Sequence, residues 1–200
     1  MFRDMLNEIM NYSNSYEQAH DVYNQAVAHI KKNYVKGSEL YEGAMKTAKD
    51  TMNKALVPMK DMYRESIRTQ FSDVKAKIQK AVAVAPSKEV VDILPLIRAG
   101  KMNDSELRMI MNTYGNNYMN SKMIADALGK TNEFRTVRDV MDKVGDLEAR
   151  LERYIDTYAG SNKAEAPYNI ILMQYSDLYD EADDVVNSFL TAYGTQEGGE

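Results

Sequence analysis

Between Ser38 and Ala85 the chain carries about 48 residues of uninterrupted helical pattern with a single proline, Pro58, inside it. At about 1.5 Å per residue, one helix over that stretch spans roughly 70 Å. Helices in globular proteins usually run three or four turns and draw most of their stability from packing an apolar face. A rod of this length needs partners along it, and those partners have to be helices as well. No run of Val, Ile and Thr with period-two alternation occurs anywhere in the sequence, so the fold class expected is all-α.

The residues before the rod supply its first partner. From Phe2 to about Asn33 the apolar positions are Phe2, Met5, Ile9, Tyr12, Tyr16, Ala19, Tyr23, Ala26 and Ile30. Their steps alternate three and four, a heptad seam on one narrow stripe. Gly37 can take the left-handed conformation that ends one helix, and Ser38 can cap the next. So short a connection makes an antiparallel hairpin. In the second helix the seam runs Tyr41, Met45, Ala48, Met52, Ala55 and Met59. It shifts through Tyr63, Ile67 and Phe71, steps of four that insert a stutter, and resumes at Val74, Ile78 and Ala81 or Val82. Pro58 cannot donate to the carbonyl of Lys54, which predicts a kink in a continuous helix rather than a helix end.

Ala85-Pro86-Ser87 ends the rod, and beyond it the elements shorten. Glu89 to Arg98 reads as a short helix containing Pro95 and closed by Gly100. Asn103-Asp104-Ser105-Glu106 is a capping box for a helix to about Tyr114. After the polar turn Gly115-Asn116-Asn117, a helix through Met119, Met123, Ile124, Ala127 and Leu128 stops at Gly129. Glu133 to Tyr158 is long again, with a seam at Val140, Val144, Leu147, Leu151, Tyr154 and Tyr158. Gly160 to Ala166 reads as a loop and Pro167 as a first helical residue. The last helix carries Ile171, Tyr175, Leu178, Ala182, Val185, Phe189 and Tyr193. The expected organisation is a long helical hairpin over residues 1–85, a smaller helical bundle over 86–193, and a disordered tail over 194–200.

Composition narrows the chemistry. There is no cysteine, so thiolate metal sites and Cys nucleophiles are excluded. No Gly-x-Ser-x-Gly elbow and no phosphate-binding glycine loop occurs, and the two histidines fall on one predicted helix. An enzyme is not expected, and neither is a cofactor. Glu17-x-x-His20 is the one metal-like spacing, but a carboxylate-bridged di-iron site needs two such pairs and further glutamates. His29 has Ala26 where its glutamate would be. The opening Met-Phe-Arg-Asp-Met-Leu-Asn-Glu puts charges where a signal peptide has its apolar core, and no window reaches the apolar length of a membrane span. The expectation is a soluble protein without membrane contact, and the lack of cysteine fits a bacterial or viral cytoplasmic setting.

Charge is uneven along the chain. Residues 31–80 hold 12 Lys/Arg against 6 Asp/Glu, whereas residues 164–200 hold 8 Asp/Glu and no base. Lys31, Lys32, Lys36, Lys46, Lys49, Lys54, Lys60, Arg64, Arg68, Lys75, Lys77 and Lys80 form a basic stripe. Such a stripe can neutralise phosphates, which keeps a nucleic-acid-binding or regulatory module open as the second reading, although the interspersed acids and the acidic total argue against it. Asp177, Asp180, Glu181 and Asp184 share one helical face, either a solvated surface or a docking face for a basic partner.

The segment Ile93-Leu94-Pro95-Leu96-Ile97-Arg98-Ala99-Gly100-Lys101-Met102-Asn103-Asp104-Ser105-Glu106-Leu107, followed by Tyr114-Gly115-Asn116-Asn117-Tyr118-Met119, resembles small helical proteins encoded in the structural-gene region of Firmicutes phages and prophages. The resemblance covers about 35 of the 200 residues and brings no catalytic residues. It implies a virion-assembly or head-associated role among phage structural proteins, and with it the bacterial host cytoplasm as the location. Scaffolding is one form of that role, but scaffolding proteins often end in a basic helix and this chain ends acidic.

Taken from the residues alone, the leading expectation is a structural protein that acts by helical self-association. A two-helix hairpin hides only the stripe each helix turns to the other. Tyr12, Tyr16 and Tyr23 of the first helix and Met45, Met52 and Met59 of the second are therefore the expected interface residues, the methionines offering adaptable packing. The assembly expected is a dimer of antiparallel rods, with the basic middle of one chain near the acidic end of the other.

Overall fold

The structure, a computed structural model, describes residues 2–160 and 168–194. Among the described residues there are seven α-helices, one 3-10 turn and no strand. The helices are α1 (Arg3–Asn33), α2 (Glu39–Val82), α3 (Lys88–Arg98), α4 (Asp104–Tyr114), α5 (Tyr118–Ala127), α6 (Val137–Gly160) and α7 (Tyr168–Tyr193). The protein is all-α, and its long first helices form a hairpin. The chain divides into two compact units, Met1–Gln70 with Leu147–Tyr179 and Phe71–Asp146 with Asp180–Glu200. Their division differs from a cut at residue 85, since α2, α6 and α7 each contribute to both.

The rod is continuous. α2 has 44 residues with Pro58 inside, roughly 66 Å by its rise per residue, and it stops at Val82, three residues before the expected end. Gly37 sits at φ +83°, where a Cβ is disfavoured, and Ser38 Oγ accepts from the Tyr41 amide at 3.2 Å. The turn and cap therefore lie where the sequence puts them.

In the first unit the α1 seam is buried at its N-terminal end. Phe2, Met5, Ile9, Tyr12 and Tyr16 are all at most 2% exposed, with Ile67 of α2 and Leu147, Leu151 and Ile155 of α6 buried in the same unit. The Tyr12 hydroxyl donates to the Ile155 carbonyl at 3.3 Å, and its ring meets Tyr63 edge-on at 5.4 Å. Phenols can stand in this core because the polar end finds a partner while the ring is buried.

The second unit is built from shorter pieces. Val90, Leu94 and Ile97 of α3 close on Ile124 of α5, with Leu107 and Ile110 of α4 packed beside them. The capping box of α4 is present in both directions: Glu106 N donates to Asn103 Oδ1 at 3.0 Å, and Asn103 N to Glu106 Oε2 at 2.8 Å. Gly100 and Gly129 take positive φ, as their places after α3 and α5 require. The asparagine-rich turn ties down the link after the rod. Asn117 donates to the Ala85 carbonyl at 2.8 Å, and buried Asn120 accepts from the Ser87 amide at 2.8 Å and donates to the Tyr114 carbonyl at 3.2 Å. Tyr118 stacks among Phe134, Phe189 and Tyr193, and its hydroxyl accepts from the Val137 amide at 3.0 Å.

Two elements differ from expectation. α6 begins at Val137 rather than Glu133, because Thr136 and Asp139 cap it reciprocally: Asp139 N donates to Thr136 Oγ1 at 3.2 Å and Thr136 N to Asp139 Oδ2 at 2.8 Å. The Thr136 hydroxyl, which donates to Asp139 Oδ2 at 2.8 Å, and then the Thr136 amide hold the Asp139 carboxyl below the ordinary carboxylate range. In α7 the buried positions are Tyr179, Ala182, Val186 and Phe189, with Leu178 and Val185 only half-buried. Adjacent apolar pairs left that seam ambiguous by one residue. Gly160, expected to open a loop, is instead the last residue of α6; the rest of that loop over 161–166, Pro167 as first helical residue, the side chains of Tyr158, Ile171 and Tyr175, and the tail from 195 lie outside the described residues.

Candidate functional site

The candidate site lies on the half of the hairpin nearest its turn. Between Glu17 and Ser66 only Ile30, Tyr41 and Leu56 are buried hydrophobic residues, although the α1 and α2 seams continue through this region. Ion pairs show how far α6 reaches along α2. Lys60 Nζ lies 2.8 Å from Asp156 Oδ1, Arg64 pairs with the same carboxylate, and Arg68 Nε lies 2.5 Å from Glu152 Oε1. Hydrogen bonding to Lys60, with the charges of Lys60 and Arg64, holds the Asp156 carboxyl below the ordinary carboxylate range. The Glu152 carboxylate raises Arg68 further above its already high value.

Toward the turn, α1 and α2 leave a groove of about 580 Å³. On α1 its walls include Ala19, Val22, Tyr23, Ala26 and His29, and on α2 Ala44, Thr47, Ala48, Thr51, Met52 and Ala55. Small residues predominate on the α2 wall, so another backbone could approach closely. The threonine hydroxyls of the groove and the nearby Asn33 amide are turned back on their own helices. Thr47 Oγ1 donates to the Gly43 carbonyl and Thr51 Oγ1 to the Thr47 carbonyl, each at 2.9 Å. Asn33 Nδ2 lies 3.2 Å from His29 Nδ1 and donates to the His29 carbonyl at 2.9 Å. The threonines thus offer methyl groups outward. Small-molecule sites of comparable volume hold a few convergent polar groups, whereas here alanines, threonine methyls and Met52 make up most of the lining beside Tyr23 and His29. Around it Val22 is 63%, Leu40 72% and Val35 78% exposed.

The six expected interface residues separate. Tyr12 and Tyr16 are 1% exposed and belong to the protein's own core, a correction: Tyr12 bonds to Ile155 of α6, and Tyr16 packs against the Tyr12 ring at 6.2 Å. Tyr23 and Met52 are half-buried in the groove walls, and Met45 and Met59 are half-buried on α2. Reading by large apolar residues overlooked Val22, Thr47, Thr51 and Leu40. The run Gly43, Ala44, Thr47, Ala48, Thr51, Ala55 was a legible signal of one small-residue face.

Of the acidic face, Asp177, Asp180, Glu181 and Asp184 are exposed, and Glu181 Oε1 lies 2.6 Å from Lys143 Nζ of α6. Among the described residues no three metal-ligating side chains come together; His20 lies against the Tyr16 ring at 4.6 Å. No helix among them is long and apolar enough to cross a membrane. Comparison with protein-family models, curated proteins and solved structures finds no match to this chain.

Proposed function

We propose that this chain is a non-enzymatic assembly protein that works through helical self-association, using the half of its hairpin nearest the turn. One observation carries the reading: an apolar groove runs between two long helices whose seams continue past the last residues that α6 covers. Exposed contiguous apolar surface on a protein marks an interaction site, and the mostly apolar lining favours a packed helix over a polar ligand. The sequence resemblance to helical proteins of phage structural-gene regions supports reading such assembly as part of virion construction, in the host cytoplasm or on the particle.

The basic stripe supports nucleic-acid binding less well. Lys60, Arg64 and Arg68 are engaged by α6 carboxylates, which removes three cations from the surface a phosphate backbone would need. Light scattering between about 1 and 100 μM tests the reading. A mass approaching twice 22.8 kDa with rising concentration is expected; a constant monomer mass would overturn it.

A further inference from the structure

We infer that the groove is filled by the same groove of a second copy, the two hairpins lying face to face and antiparallel about a two-fold axis between Thr47 and Ala48 of α2. This rests on the self-association proposed above and adds to it the surface, the orientation and the register.

Symmetry leaves few choices. When two hairpins stack by their grooved faces, a two-fold axis across the helices sets α1 on α1 and α2 on α2, each pair antiparallel. An axis along the helices sets α1 on α2 with both turns at the same end. Charge on the flanks of the groove and the size of its end residues together favour the first arrangement. Asp21 and Lys32 are exposed and stand eleven residues apart, three turns, on the same flank of α1. Pairing α1 with its own antiparallel copy brings each Asp21 to the level of the other copy's Lys32, and the contact forms twice. With the turns together, Lys32 would face the start of α2, and exposed Leu40 would come level with exposed Tyr34 and Val35 of the other copy, large against large.

Size sets the register. Leu40 is 72% exposed and lies one turn before Ala44 at the groove's end, a large side chain without a hole to fill. An axis between Thr47 and Ala48 puts Leu40 of one copy opposite Ala55 of the other and Ala44 opposite Thr51, so each bulky position meets a small one. The same axis crosses α1 between Ala26 and Val27, midway between Asp21 and Lys32, and Ala26 lines the groove with Ala48 of α2. The result is a four-helix layer in which both grooves close, with threonine methyls and alanines at the centre.

The chain has no cysteine, so engineered thiols report without background. In the full-length protein, Thr47→Cys is placed next to the axis and should oxidise to a covalent dimer at least ten times faster than Leu40→Cys. Two copies of position 40 are about 22 Å apart along the axis, beyond the roughly 7 Å between Cα atoms that a disulfide spans. An equimolar mixture of Leu40→Cys and Ala55→Cys should give the mixed dimer. All three positions tolerate a small side chain, and circular dichroism confirms that the helices are kept. If light scattering shows a dimer but Leu40→Cys cross-links to itself as fast as Thr47→Cys, this orientation and register are wrong while self-association stands. A monomer at every concentration, with no cross-link from Thr47→Cys, overturns both and leaves the groove to a helix of another protein.

Discussion

The two halves of the α1–α2 hairpin are made from the same kind of heptad seam and meet different fates. Near the chain start, Phe2 to Tyr16 are covered, Ile67 is fully buried, and three cations of α2 are tied to α6. Nearer the turn the seam runs on through Ala19, Tyr23, Ala26, Met45, Ala48 and Met52, and none of these is fully buried. The side chains change along with the coverage, from bulky aromatics and isoleucine to alanine and threonine. A seam specifies a face to be buried; the size of its residues specifies how closely the partner comes. The inner half is a finished core, and the outer half has the composition of a close helix–helix contact.

Stability should divide at the same place. Ile67→Ala removes a fully buried side chain and is expected to cost about 2–5 kcal/mol. Val22→Ala, at 63% exposure, should change monomer stability by no more than about 0.5 kcal/mol. Chemical denaturation of both variants at about 1 μM checks this, and equal costs would erase the distinction between the halves.

Pro58 stands at the joint, just past Leu56 and before the first ion pair at Lys60. The continuous helix lacks one hydrogen bond there, to the Lys54 carbonyl. Pro58→Ala is expected to raise stability by up to about 3 kcal/mol, the order of the helix-interior proline penalty. A clear fall in melting temperature would instead mean that the two halves need a proline bend between them.

A smaller effect should come from the ion pairs of the inner half. The Asp156 carboxyl is held below its ordinary value, so its contribution is present above the unfolded-state value of about 3.9 and is lost as pH falls through the lower folded value. Its side chain is 54% exposed, which limits the contribution to less than about 1 kcal/mol. Asp156→Asn should therefore lower stability slightly at pH 7 and remove part of the decline below pH 4 in acid unfolding. An unchanged acid transition would show that the pairing with Lys60 and Arg64 is energetically silent.

Much of this architecture was legible in the sequence, because helices announce themselves by period and caps. The long rod, its Gly37-Ser38 turn and the Asn103–Glu106 box lie where the residues put them. What a stripe does not encode is which helix covers it. Tyr12, Tyr16 and Tyr23 look equivalent along one seam, yet the first two are buried, Tyr12 against α6, and the third is only half-buried. Leu178 with Tyr179, and Val185 with Val186, are neighbouring apolar residues, so a three-four pattern could be drawn through either. The Thr136–Asp139 cap was readable and was passed over in favour of an earlier start. The α2 groove wall was hidden for another reason: alanine and threonine carry little hydrophobic signal until the groove they line is seen.

Amide hydrogen exchange followed against protein concentration tests the division most directly, since it reads both halves of α2 in one experiment. The account predicts that amides of residues 43–55 exchange progressively more slowly between about 1 and 100 μM, as the outer half gains a partner. Those of residues 63–71 should exchange at a constant slow rate. Exchange over 43–55 that is independent of concentration, and as slow as over 63–71, would contradict it, because the outer half would then be as complete in one chain as the inner.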